Sequence, residues 1–150
     1  MWCRRYGGSA CALPPTVRRS SEPTGTVVKI VDASALAALL FGEPEADPVA
    51  VELQDPSLVA PALLGFEIAN VCLKKMRRNP ERRDALLAGL AMYERMSIEI
   101  VEVDQAETLQ LAEAFDLSSY DAAYLWLARL LAADLVTLDR RLQTVGRTRH

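Results

Sequence analysis

Four short apolar runs, each separated from the next by helix-forming sequence, constrain this chain more than any other feature. They are Val27 to Val31, Ser57 to Ala60, Ile98 to Val103, and Leu135 to Thr137. The third alternates apolar and acidic residues, like a strand with one wet face. Ala33 to Phe41 is strongly helix-forming and stops at Gly42 and Pro44. A second helix is expected from about Pro48 to Gln54, ended by Asp55-Pro56 before the next run. Pro61 suits the first position of a third helix, which carries Leu63, Leu64, Glu67, Ile68, Val71 and Cys72 at helical spacing to about Met76. Pro80 opens a fourth helix reaching about Met96, and Asp104 with Glu107 makes a capping-box-like start for a fifth, to about Phe115. Ser118 or Ser119 caps a sixth from about Tyr120 to Ala132. After Leu135 to Thr137, Asp139 to Gln143 begins a last turn. Parallel strands need long crossovers and the helices supply them. The alternation therefore predicts an α/β fold with a central parallel sheet of about four strands, flanked by helices.

At 150 residues, 51% hydrophobic and 25% charged, the chain suits one domain burying roughly 70% of its unfolded surface. Residues 1 to 26 stand apart. Gly7, Gly8, Pro14, Pro15, Pro23 and Gly25 interrupt serines and arginines there, with no apolar period. The segment reads as a disordered N-terminal extension ahead of a domain over 27–150; a transit peptide is the alternative use of such a composition. Four arginines against Glu22 make the extension basic, leaving 13 basic and 19 acidic residues from Val27 onward within a net charge of −3. Global charge therefore gives no support for nucleic-acid binding, and only local basic clusters can supply it. No apolar run approaches the roughly 18 residues that a membrane span requires, the longest being Ala35 to Phe41. Cys3, Cys11 and Cys72 have no paired spacing and read as reduced thiols, which predicts a cytoplasmic protein.

Histidine occurs once, as His150, so Ser-His-Asp and Cys-His catalysis lack a base and His-rich metal sites lack ligands. Chemistry must come from carboxylates. Asp32 ends the first strand and Asp139 lies two residues beyond the last. In an open parallel sheet ligands bind at the carboxyl ends of strands, so both acids enter one cleft if the two strands are neighbours. Asp121 sits in the first turn of a helix, where capping alone would account for it. Glu67 lies among Leu63, Leu64, Phe66, Ile68 and Val71, where solvation is poor. Taken singly, each acid reads as a solvated residue or a cap. Taken together they are costly: two carboxylates about 6 Å apart at an effective dielectric of about 20 repel by nearly 3 kcal/mol. A cation relieves that repulsion, and hard oxygen ligands favour Mg²⁺ or Mn²⁺ over zinc.

Four segments together resemble the successive motifs of the PIN domain, closest to its VapC-type ribonuclease toxins. They are Val27 to Leu36 (VVKIVDASAL), Val59-Ala60-Pro61 followed by Glu67-Ile68-Ala69-Asn70, Leu117 to Tyr124 (LSSYDAAY), and Leu135 to Leu142 (LVTLDRRL). The resemblance covers about Val27 to Leu142, with the four acids in order. It implies a PIN-like three-layer fold and a Mg²⁺- or Mn²⁺-dependent endoribonuclease acting on structured RNA, held inactive by a cognate antitoxin. Asp32, Glu67, Asp121 and Asp139 match the family's acidic positions as catalytic residues and metal ligands. Ser34 and Thr137 match polar positions that orient ligands or waters; each would serve equally as a turn or cap hydroxyl. Asn70, one turn after Glu67, would fix that carboxylate by a hydrogen bond or satisfy a local backbone group. Asp116 and Asp134 match no motif. The chain departs from the family pattern at Gln143 to His150, which reads as a short basic tail in place of a helix leading to a final edge strand.

Phosphate contact is expected from Arg140 and Arg141, which follow Asp139 directly. Lys74, Lys75, Arg77, Arg78, Arg82 and Arg83 form a second basic cluster, which reads equally as a solvated helix terminus. Helices before Pro80 carry more apolar surface than a four-stranded sheet needs, which predicts a homodimer and an antitoxin groove. Two other classes compete with the nuclease. An aspartyl-nucleophile phosphohydrolase would need a second aspartate two residues after Asp32, where Ser34 stands. A catalytically silent interaction module binding an antitoxin would follow if the shortened C-terminus disables the site.

Overall fold

The structure, a computed structural model, describes residues 26–54 and 56–147. The expected extension over 1–26 lies outside these apart from Thr26, as do Cys3, Cys11, Asp55 and His150. The strands are β1 (Val28–Val31), β2 (Ser57–Pro61), β3 (Ile98–Val101) and β4 (Asp134–Val136). The helices are α1 (Ala33–Phe41), α2 (Ala46–Glu52), α3 (Leu64–Arg78), α4 (Arg83–Arg95), α5 (Gln105–Phe115), α6 (Ser119–Leu131) and α7 (Arg140–Arg147), with a 3₁₀ turn at Pro80–Arg82 before α4.

Local chemistry sets most of these boundaries. Gly42 ends α1 in the left-handed region at φ 65° and returns its N–H to Ala38 O, a conformation glycine adopts without a Cβ clash. Asp104 caps α5 by accepting the Glu107 N–H at 2.9 Å, and Ser118 caps α6 by accepting the Asp121 N–H at 3.0 Å. Pro61 does not open α3 as the sequence suggested. It is the last residue of β2, in register with Val101, and Ala62 extends the ladder by donating its N–H to Val101 O. The helix starts only where that pairing ends.

The sheet order is β3-β2-β1-β4 and every pairing is parallel. From β1 the chain steps twice in one direction, to β2 and β3, then crosses back to place β4 on the other side of β1. The connections leaving β1 and β4 therefore diverge, opening a crevice at the carboxyl ends of these two strands, where ligands bind in open α/β sheets. Helix α6 packs on β1, β2 and β4 and against α5 and α7; α1 packs against α2, α3 and α4. The core runs through Ile30, Val31, Leu36, Leu64, Ile68, Leu86, Leu125 and Leu127, all buried.

The expected basic tail after Gln143 is instead the body of α7. Asp139 Oδ1 accepts the Leu142 N–H at 2.8 Å, Gln143 donates its N–H to Asp139 O, and Leu142 is fully buried. A capped helix with one buried leucine outweighs the solubility of its arginines. No strand follows α7 among the described residues, and none of their helices is long and apolar enough to cross a membrane.

Candidate active site

The crevice is built first around Asp32. Its N–H donates to Val136 O at 3.0 Å, which locks the end of β1 to β4. Although Asp32 stands at the N-cap position of α1, its side chain makes no capping bond there. Oδ2 instead accepts from Ser34 Oγ and Thr137 Oγ1, each at 2.6 Å, and the residue is only 5% exposed. Both hydroxyls are also acceptors: Ser34 Oγ takes the Leu138 N–H and Thr137 Oγ1 the Asp139 N–H, each at 3.0 Å. Ser34 and Thr137 thus couple the carboxylate to the chain leaving β4, where the first carbonyl past the strand, Thr137 O, is held by Gln143 Nε2. Burial pushes the Asp32 carboxyl up; the two hydroxyls oppose this and the charge of Asp121 adds to it.

Glu67, in the first turn of α3, is half-buried, and its Oε2 accepts from Tyr124 Oη at 2.5 Å. Burial is the main cause of a pKa pushed up to about 7; the Tyr124 hydrogen bond pulls it down, and the charges of Asp32 and Asp121 raise it further. Asp121 occupies the first turn of α6, where Ser118 both caps the helix and donates Oγ–H to Asp121 Oδ2 at 2.7 Å. Asp32, Glu67 and Asp121, from three separate elements, therefore act on one another through space.

Asp139 stands differently. Its backbone is tied to Thr137, but its exposed carboxylate caps α7. The charges acting on Asp32 and Glu67 are carboxylates, an arrangement whose donor chemistry fits a hard divalent cation. Among the described residues no three His, Cys, Asp or Glu side chains converge closely enough to form a ready-made cation site. Asp32 and Asp121 are turned toward hydroxyls instead. A cavity of about 550 Å³ lies beside β4 between α6 and α7, and none of the four acids lines it.

Two expectations change. Asn70 is exposed on α3, and the hydrogen bond fixing Glu67 comes from Tyr124, on another helix. Residue 70 follows the exposed side of α3, whereas the Glu67 carboxylate reaches inward to α6. Arg141 is not a free phosphate ligand, because it pairs with Asp116, itself 93% exposed beyond α5; Arg140 is exposed. In the second basic cluster Lys75 pairs with Glu43 at 2.6 Å and Arg82 donates to Phe41 O. Tyr124 closes the LSSYDAAY motif, yet the sequence assigns it no site role; the signal for one is a polar atom on the otherwise apolar face of α6, three residues after Asp121.

An all-parallel sheet with Asp32 just past β1, Glu67 on α3 and Asp121 on α6, whose charges influence one another near its switch point, defines a class. The chain belongs to the PIN domain family, whose model matches residues 29–148. Within that family it is VapC-like. It is 30% identical over 118 residues to Ribonuclease VapC3 of Pyrobaculum aerophilum, a match spanning 75% of this chain and 90% of that protein. The crystal structure of PAE2754 from the same organism superposes with a TM-score of 0.66 at 28% identity, over 81% of this chain and 87% of the other. VapC20 of Mycobacterium tuberculosis, described as a Sarcin-Ricin loop cleaving toxin, shares the fold at a TM-score of 0.57 and 18% identity, over 79% and 95% of the two chains.

Proposed function

We propose that this protein is a metal-dependent endoribonuclease, the toxin of a toxin-antitoxin pair, acting on RNA phosphodiester bonds in the cytoplasm. The observation that carries the reading is the mutual influence of Asp32, Glu67 and Asp121 at the β1/β4 switch point, in a chain whose relative is a ribonuclease. Asp32, Glu67, Asp121 and Asp139 would hold Mg²⁺ or Mn²⁺. The cation would offset their repulsion and supply the Lewis acidity for hydrolysis at phosphorus. Ser34 and Thr137 both donate to one oxygen of Asp32 and so fix the orientation of its carboxylate. Arg140 supplies positive charge beside it, and Arg141 joins once released from Asp116. Phe66 and Leu73 on α3, with Leu87 and Met92 on α4, are exposed apolar side chains that support a homodimer and an antitoxin-binding face.

The test is cleavage by the purified chain. RNA should be cut with Mg²⁺ or Mn²⁺ and left intact in EDTA, and sequencing of the new ends should map discrete sites. Replacing Asp32, Glu67 or Asp121 by its amide should lower turnover far more than it lowers RNA binding. Cleavage that survives exhaustive chelation would falsify the metal mechanism.

A further inference from the structure

Tyr124 heads the largest fully buried side chains among the described residues. A buried phenol requires a partner for its O–H, and Tyr124 finds one in Glu67 Oε2, 57 residues away in sequence. The ring is held on all sides by the core, so the hydroxyl is a fixed point. Glu67, by contrast, is a flexible side chain at the rim of the crevice. Tyr124 also lies one helical turn after Asp121 on α6. One rigid turn thus presents both a carboxylate of the centre and the donor that holds another.

A carboxylate has two oxygens, and a donor on one of them sets the plane of the group. With Oε2 taken by the phenol, Oε1 is the oxygen of Glu67 for which the structure shows no hydrogen bond. We infer that Tyr124 is a positioning residue of the carboxylate centre, fixing Glu67 so that Oε1 is the oxygen that would be offered to a cation. The inference rests on the proposed function, since it assigns Glu67 as a ligand. A phenol ordinarily ionises only at about pH 10, so the hydroxyl is a donor throughout the range in which the enzyme would work. Its role resembles that of the partners behind metal-ligating groups, whose loss costs about 10- to 100-fold in affinity or activity.

Tyr124→Phe removes the hydroxyl and keeps the ring. Mn²⁺ titrated into the full-length chain without RNA, followed by electron paramagnetic resonance, should show affinity falling about tenfold or more. With RNA, kcat should fall while KM for RNA stays within about twofold, because the phenol meets the ligand and not the substrate. Tyr120→Phe, on the same helix with an exposed side chain, should change neither quantity. A wild-type chain that binds Mn²⁺ and cleaves RNA beside a Tyr124→Phe variant with equal Mn²⁺ affinity and kcat overturns the role of Tyr124 alone. A wild-type chain that neither binds Mn²⁺ nor cleaves RNA overturns the proposed function and this inference with it.

Discussion

Glu67 has a pKa of about 7 against an ordinary 4.5, and this has a direct consequence for stability. The folded protein holds the proton more tightly than the unfolded chain does, so protonation favours folding. That contribution is complete below about pH 4.5 and is lost as pH rises through about 7. In EDTA the melting temperature should therefore fall between these values, and Glu67→Gln should flatten the slope; an unchanged slope would mean Glu67 is solvated. Asp121→Asn should raise the melting temperature in EDTA, because it removes a charge acting on both Asp32 and Glu67 while the amide oxygen still accepts from Ser118. The weakened interaction with the helix N-terminus costs only about 0.3–1 kcal/mol. The same variant should lower the Glu67 pKa, measured by carboxyl NMR titration. Asp139→Asn keeps the cap on α7, so a loss of turnover without a loss of melting temperature would separate its catalytic role from its structural one.

At the scale of elements, two glycines make opposite predictions for one substitution. A Cβ at Gly89 would lie 2.5 Å from the carbonyl oxygen of Leu40 and 3.0 Å from the Phe41 ring. The backbone of α1 cannot yield there, so Gly89→Ala should destabilise by about 1–3 kcal/mol in urea melts through overpacking of α4 on α1. At Gly146 in α7 the added methyl meets only the Leu135 side chain, at 3.5 Å from Cδ2 and 3.9 Å from Cβ. Gly146→Ala should stabilise by up to about 1 kcal/mol through helix propensity. From Gln143 onward the sequence of α7 reads as a basic tail, because Arg147 and Arg149 stand out in that stretch and the turn begun at Asp139 carries little apolar surface beyond it. Leu142, Val145 and Gly146 nevertheless share the inward side, and the Asp139 cap starts it. Leu142→Ala, at a fully buried position, should cost about 2–5 kcal/mol.

For the whole molecule, the apolar side chains left in water on α3 and α4 matter most. Phe66 is 84% exposed, an arrangement more natural for an interface than for free surface. Phe66→Asp with Leu73→Asp should convert a dimer to a monomer in light scattering at tens of micromolar without changing the melting temperature of the protomer by much. A wild-type chain that is monomeric at that concentration would remove the case for dimerisation through α3. Removing residues 1–26 should leave folding and cleavage unchanged, since that segment offers no periodic apolar face and none of the proposed ligands; circular dichroism melts and a cleavage assay check both.

Local order along the chain was sufficient to determine the alternation of strands and helices, and with it a parallel sheet, because a hydrophobic period is a property of neighbouring residues. It also placed Asp32 and Asp139 at strand ends and marked Glu67 as an acid in apolar company. The partners of these acids were not legible. Thr137 meets Asp32 across 105 residues and Tyr124 meets Glu67 across 57, and no local pattern encodes which strand lies beside which. That was decided by the return of the chain across the sheet, which set β4 against β1. Burial then raised Asp32 and Glu67 from ordinary carboxyls to perturbed ones, since desolvation exists only once the surrounding layers have closed.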